Sequence, residues 1–142
     1  MAAPTLYMLL AGLASAACFA VVFRTPRRYY IHTVFIGFCS AAAMTFLPAT
    51  WNVGFTSFLT ALLIACMSHG FARWAKAPAQ CFLIPGVIYL VPGSDIYRAF
   101  SAALAHQMDE ATSFGLAAVT ITVGISLGIL LASWLVPPKR TL

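Results

Sequence analysis

Four stretches without a single Asp, Glu, Lys or Arg decide what this chain can fold into: Thr5 to Phe23, Tyr30 to Leu47, Val53 to Ala72 and Thr112 to Val136. They are 19, 18, 20 and 25 residues long. At about 1.5 Å of rise per residue, each is near or above the length a helix needs to cross a hydrocarbon core of roughly 30 Å. Of the 142 residues, 62% are hydrophobic and 8% charged, so too little polar surface exists to cover a water-facing globule. A net charge of +5 would suit a nucleic-acid binder only if the cations shared one polar face. Here they stand at the edges of apolar runs, which is the membrane pattern.

The first run ends at Arg24 with no Lys or Arg before it and is too long for a secretory signal, so a retained span is expected despite the weak cleavage pattern Ala14-Ser15-Ala16. The second closes at Pro48 beside Trp51, and the last stops at Pro137-Pro138-Lys139-Arg140. Between the third and last runs, residues 79–91 form a short apolar segment of about 20 Å as a helix, interrupted by Pro85-Gly86. If it crosses, Arg24, Arg27, Arg28, Arg73, Lys76, Lys139 and Arg140 all fall on one side, which the positive-inside rule makes cytoplasmic. The expectation is therefore an all-α integral membrane protein: a single membrane domain over 1–142 with about five transmembrane helices. The spans are 5–23, 30–47, 53–72, a broken 79–91 and 112–136, with the amino terminus outside and the carboxyl terminus cytoplasmic.

The cysteines Cys18, Cys39, Cys66 and Cys81 lie within apolar runs, where oxidative pairing is not expected. Cys66 and His69 make one close ligand pair without a second, so no metal is expected. Neither a Walker A loop nor a dinucleotide fingerprint is visible, and no cofactor is expected. Ser94 or Ser101 with His106 and Asp109 would be a hydrolase set, but Pro92-Gly93-Ser94-Asp95 lacks the second glycine of a nucleophile elbow, so no enzyme is expected.

What stands out is a second Pro-Gly pair, Pro92-Gly93, seven residues after Pro85-Gly86. Each proline removes a backbone donor, and freed peptide groups are tolerated at membrane depth only where protein or a water-filled cavity surrounds them. Ser94 as N-cap and Asp95 in the first turn then suggest an amphipathic helix over about 94–109. One face would carry Ile96, Phe100, Leu104 and Met108, the other Asp95, Arg98, Ala102, His106 and Asp109. Its amino end is a seat for a carboxylate. Equally, the prolines could mark simple kinks, Asp95 and Arg98 a solvated pair, and Tyr89 and Tyr97 interface anchors. Co-location favours a site: Pro85, Gly86, Pro92, Gly93, Ser94, Asp95, Tyr97 and Arg98 fall within 14 residues of a chain that is otherwise bland. Gly124 and Gly128 have the Gly-x-x-x-Gly spacing of close helix approach, and Ala14 to Ala17 and Ala41 to Ala43 say the same more weakly.

This segment resembles the threonine/serine exporter family in its small-subunit, YjjB-like form. The resemblance rests on Ile84-Pro85 leading to Val91-Pro92-Gly93-Ser94 and Tyr97, on Phe71-Ala72-Arg73-Trp74 and Pro78 before them, and on Val22-Phe23 with Pro26. It covers about Ala14 to Phe100 and corresponds to the second of the family's two membrane halves. It implies a bacterial inner-membrane exporter subunit for a small polar molecule, threonine and serine or small dicarboxylates such as succinate. The implied partners are lipid, the substrate and a second membrane subunit, or further copies of the chain, with no nucleic acid. The alternative is a non-transporting scaffold that stabilises a partner.

Overall fold

The computed structural model describes residues 2–47 and 51–136, and all regular structure among them is helical. The order is α1 (Ala2–Val22), a 3-10 turn (Arg27–Tyr29), α2 (Tyr30–Phe46), α3 (Val53–Ala75), α4 (Gln80–Val87), a second 3-10 turn (Ile88–Leu90), α5 (Gly93–Leu104) and α6 (Met108–Leu135). Three helical stretches are long and apolar enough to cross a membrane, Arg27–Phe46, Val53–Ala75 and Met108–Leu135. The helix α1 has 21 residues, about 31 Å by its rise. The expected helix end at Pro48 and the Pro137-Pro138-Lys139-Arg140 tail lie outside the described residues.

Small residues set the helix pairing. A Cβ placed on Gly12 would collide with Ala41 Cβ, and one on Gly37 with Ala16 Cβ. Residue numbers rise along α1 as they fall along α2, so the two helices are antiparallel. Gly124 packs on the backbone of Gly54, and Gly128 on Phe58, Leu62 and Ala61. Numbers here rise together, so α3 and α6 run parallel. The Gly-x-x-x-Gly spacing thus serves contact within the chain, letting two backbones approach as closely as only glycine allows.

Parallel α3 and α6 require the chain between them to return across the bundle. Two hydrogen bonds fix where that return begins: Tyr29 Oη donates to the Ala75 carbonyl at 3.1 Å, and Thr25 Oγ1 to the Cys81 carbonyl at 3.5 Å. They tie the 24–29 connection to the 76–79 connection, bringing Arg24, Arg27, Arg28, Arg73 and Lys76 to one end of the bundle. From that end α4 runs inward beside α2, with Phe82 against Tyr29 (ring centroids 5.3 Å apart) and Gly86 against Ile36.

Several boundaries differ from expectation. The first Pro-Gly pair does not interrupt the helix: α4 continues through Pro85 and Gly86 to Val87. Proline denies the Cys81 carbonyl its usual donor four residues on, and the Thr25 hydroxyl supplies one instead. The regular backbone stops at the second pair, where Val91 is extended and Pro92 precedes α5. The amphipathic helix ends at Leu104 rather than near 109, because His106 adopts a left-handed φ of 59° and the Gln107 N–H closes onto the Ala102 carbonyl at 2.9 Å. Met108 and Asp109 therefore belong to the first turn of α6, which starts four residues before the apolar run at Thr112.

Candidate functional site

A helix and a 3-10 turn over residues 80–90 reach about 18 Å, well short of a bilayer core. Gly86 lies in a slot between α2 and α3, where an added Cβ would stand 2.5 Å from Ile36 Cγ2 and 3.0 Å from Ile64 Cγ2. Both isoleucines are fully buried, and so is Pro85. Residue 86 is thus held by close packing, and the sequence's first Pro-Gly pair shapes a contact rather than a gap.

The second pair stands at the interruption. Gly93 N–H donates to the Val91 carbonyl at 2.8 Å, closing a tight turn, and the Ile96 N–H reaches back to the Pro92 carbonyl at 3.0 Å. Pro92 occupies the N-cap position and no side chain caps the helix, so Ser94 is the second residue of α5 and not its cap. The turn bond leaves the Ser94 and Asp95 N–H groups, rather than all three from Gly93 onward, as the donors at the positive end of α5. Around them Ser94, Tyr97 and Arg98 are exposed and Asp95 is half-buried. The Arg98 guanidinium lies over the Phe114 ring of α6 at 5.7 Å.

The eight residues singled out from sequence therefore form two groups, one on α4 and one at the break and the start of α5. Pro85 and Gly86 are packed against α2 and α3; Gly93, Ser94, Asp95, Tyr97 and Arg98 surround the open start of α5, with buried Pro92 at the hinge. Beyond them α5 packs on α6, and Ile96, Ala99, Phe100 and Ala103 line one side of a cavity of about 410 Å³ whose other side includes Ala111, Gly115 and Ala118. The expected apolar face Ile96, Phe100 and Leu104 is exposed, while Ala102 on the expected polar face is buried.

The buried hydroxyls went unnoticed in the sequence, and His69 was weighed there only as one member of a ligand pair. Thr33, Ser40, Thr56, Ser57, Thr60, Ser68 and His69 are buried in α2 and α3. Among them Ser40 Oγ, Ser68 Oγ and His69 Nε2 have no hydrogen-bond partner, and neither has Nδ1 of the half-buried His32. His32 stands among the rings of Phe71, Trp74 and Phe82, with centroids 5.2 to 6.5 Å away. The available signal was spacing: Thr56, Thr60 and Ser68 repeat at multiples of four, which places them along one helical side.

No solved structure matches the chain. A protein-family model described as Threonine/Serine exporter, ThrE matches residues 8–135, nearly the whole sequence, and includes both Pro-Gly pairs and the buried hydroxyls. The chain therefore belongs to the Threonine/Serine exporter, ThrE family.

Proposed function

We propose that the chain is one subunit of a secondary exporter of small polar metabolites, threonine and serine first and small dicarboxylates such as succinate as the wider class. The single observation that carries this reading is the interruption at Val91–Gly93, set between a helix that begins at the cation-rich end and one whose amino-terminal donors are uncapped. In this reading α4, its 3-10 turn and α5 together make the fourth of five crossings in a single membrane domain. Support comes from the parallel course of α3 and α6, which demands a return crossing between them. The Ser94 and Asp95 N–H groups then receive a substrate carboxylate, as helix amino ends do in transporters built on broken helices. Arg98 adds a cation, Asp95 meets an ammonium or a coupling proton, Tyr97 lines the path, Pro92 and Gly93 shape the broken backbone, and Pro85 and Gly86 seat α4 between α2 and α3.

In this reading the chain lies in a bacterial inner membrane with the amino terminus outside and the carboxyl terminus inside, and the five cations gathered at one end support a cytoplasmic position for that end. With five crossings, a second half of like fold would enter inverted, the arrangement of many secondary transporters. That supports a second membrane subunit as partner.

The test compares cells with and without the chain, each loaded in turn with threonine, serine and succinate. Selective intracellular accumulation on deletion, reversed by re-expression, is the expected result. Asp95→Asn and Arg98→Ala should each slow efflux. Wild-type efflux in both variants, inserted at wild-type levels, removes the site assignment, and unchanged metabolite ratios in the deletion strain remove the export reading.

A further inference from the structure

Helical hydroxyls in this chain mostly bond their own backbone. Thr33 donates to Tyr29 O at 3.1 Å, Ser57 to Val53 O at 2.8 Å, Thr60 to Thr56 O at 2.8 Å and Ser133 to Ile129 O at 2.9 Å. Ser40 and Ser68 break this habit. Both are fully buried, and neither Oγ has a partner. The carbonyls four residues earlier, which would ordinarily accept from them, belong to Ile36 and Ile64, the two residues whose methyl groups close on Gly86.

The positions are related through that slot. A residue four later on a helix lies one turn along the same face, so Ser40 follows Ile36 on α2 and Ser68 follows Ile64 on α3. The helices are antiparallel, with Thr60 Oγ1 3.7 Å from Met44 Sδ and the His32 ring 5.2 Å from that of Phe71. The two serines therefore stand on opposite sides of the Gly86 contact, Ser68 toward the cationic end and Ser40 toward the far end. The pairing of residue 32 with 71 and of 44 with 60 sets Ser68 level with Ile36 and Ser40 level with Ile64, so their separation along the bundle is about 7 Å, little more than one helical turn.

We propose that Ser40 and Ser68 are substrate-recognition residues that bond the side-chain hydroxyl of an exported amino acid in turn, on the two sides of a constriction formed by Gly86, Ile36 and Ile64. The inference rests on the export reading and extends it to substrate choice. An unpaired buried hydroxyl is unfavourable, so an occupant that completes it is favoured over one that does not. A serine hydroxyl both donates and accepts, which matches an alcohol in either sense. A site built to pair a substrate hydroxyl rejects the analogue that lacks it, because the site's own group is then left unsatisfied.

The test measures efflux of threonine and of 2-aminobutyrate, the same carbon frame without the hydroxyl, from cells expressing the wild-type chain, Ser40→Ala, Ser68→Ala or Thr60→Ala. Each serine variant is expected to raise the threonine concentration for half-maximal efflux about tenfold, the scale of one lost hydrogen bond. The preference for threonine over 2-aminobutyrate should shrink by the same factor with the maximal rate retained, and Thr60→Ala should change neither. A second readout places Ser40→Cys or Ser68→Cys in a chain whose Cys18, Cys39, Cys66 and Cys81 are replaced by alanine. A small methanethiosulfonate reagent should modify each new thiol, and threonine should slow the reaction. Wild-type preference in the inserted serine variants, or thiols that never react, overturns the proposal and leaves the export reading standing. A wild-type chain that moves neither amino acid overturns both.

Discussion

Replacing Gly128 with alanine tests the packing of α6 on α3, because the clash is with backbone that cannot rotate away. The new Cβ would stand 2.6 Å from the Phe58 carbonyl oxygen, 2.9 Å from the Leu62 nitrogen and 3.0 Å from Ala61 Cβ. Ordinary contact would require the helices to part by several tenths of an ångström along their whole close approach. Overpacking of this kind costs about 1–3 kcal/mol. Glycine to alanine within a helix returns about 0.5–1 kcal/mol, leaving a net loss of about 1–2 kcal/mol. At about 2–4 °C per kcal/mol for a chain of this size, Tm should fall by roughly 2–8 °C. Gly115 supplies the control, since it lies in the same helix with nothing within 4 Å of the position a Cβ would take. Thermal unfolding of the purified protein in one detergent, followed by tryptophan fluorescence, should show Gly128→Ala melting lower and Gly115→Ala melting at or above wild type. Equal melting of the two variants would refute the argument that backbone approach holds α3 and α6 together.

Thr25→Val should destabilise by about 0.5–1 kcal/mol because the Cys81 carbonyl loses its substitute donor; in Pro85→Ala, which restores the helical N–H, the same change should cost nothing, and a double-mutant cycle measures the difference. Tyr29→Phe removes the hydroxyl bonded to the Ala75 carbonyl and should cost about 1 kcal/mol, with faster proteolysis within residues 24–29 and 76–79 as the local readout. His106→Gly should raise Tm slightly and His106→Val lower it, because the left-handed φ of 59° suits glycine and strains a β-branched residue; identical melting of the two would remove the αL argument for the end of α5.

The helical class and the main membrane-length segments were legible because they depend on run length and charge placement, properties that packing does not alter. The roles of Gly124, Gly128, Ala16 and Ala41 were legible as close approach, but the partner helix was not, since a Gly-x-x-x-Gly spacing is the same whether it meets another helix of its own chain or of a second one. The first Pro-Gly pair misled. A proline breaks a helix when its orphaned carbonyl stays unmet, and nothing local to Pro85 reveals that Thr25, far away in sequence, meets it. The end of α5 was missed for a similar reason: His106 takes a conformation usually given to glycine, so the stop carried no glycine signal. Ser40 and Ser68 escaped notice because serine in a membrane helix ordinarily bonds its own backbone, and only the packed interior shows that these two are both buried and unpaired.

Export itself is tested most directly in everted inner-membrane vesicles, whose cytoplasmic face meets the medium, prepared from cells with and without the chain in an otherwise unchanged background that retains the proposed second subunit. Labelled threonine supplied outside an energised vesicle should enter faster when the chain is present, with entry suppressed by excess serine and slowed by Asp95→Asn. Equal uptake by the two vesicle populations, with the chain shown to be inserted and the proposed second subunit present, would contradict the account.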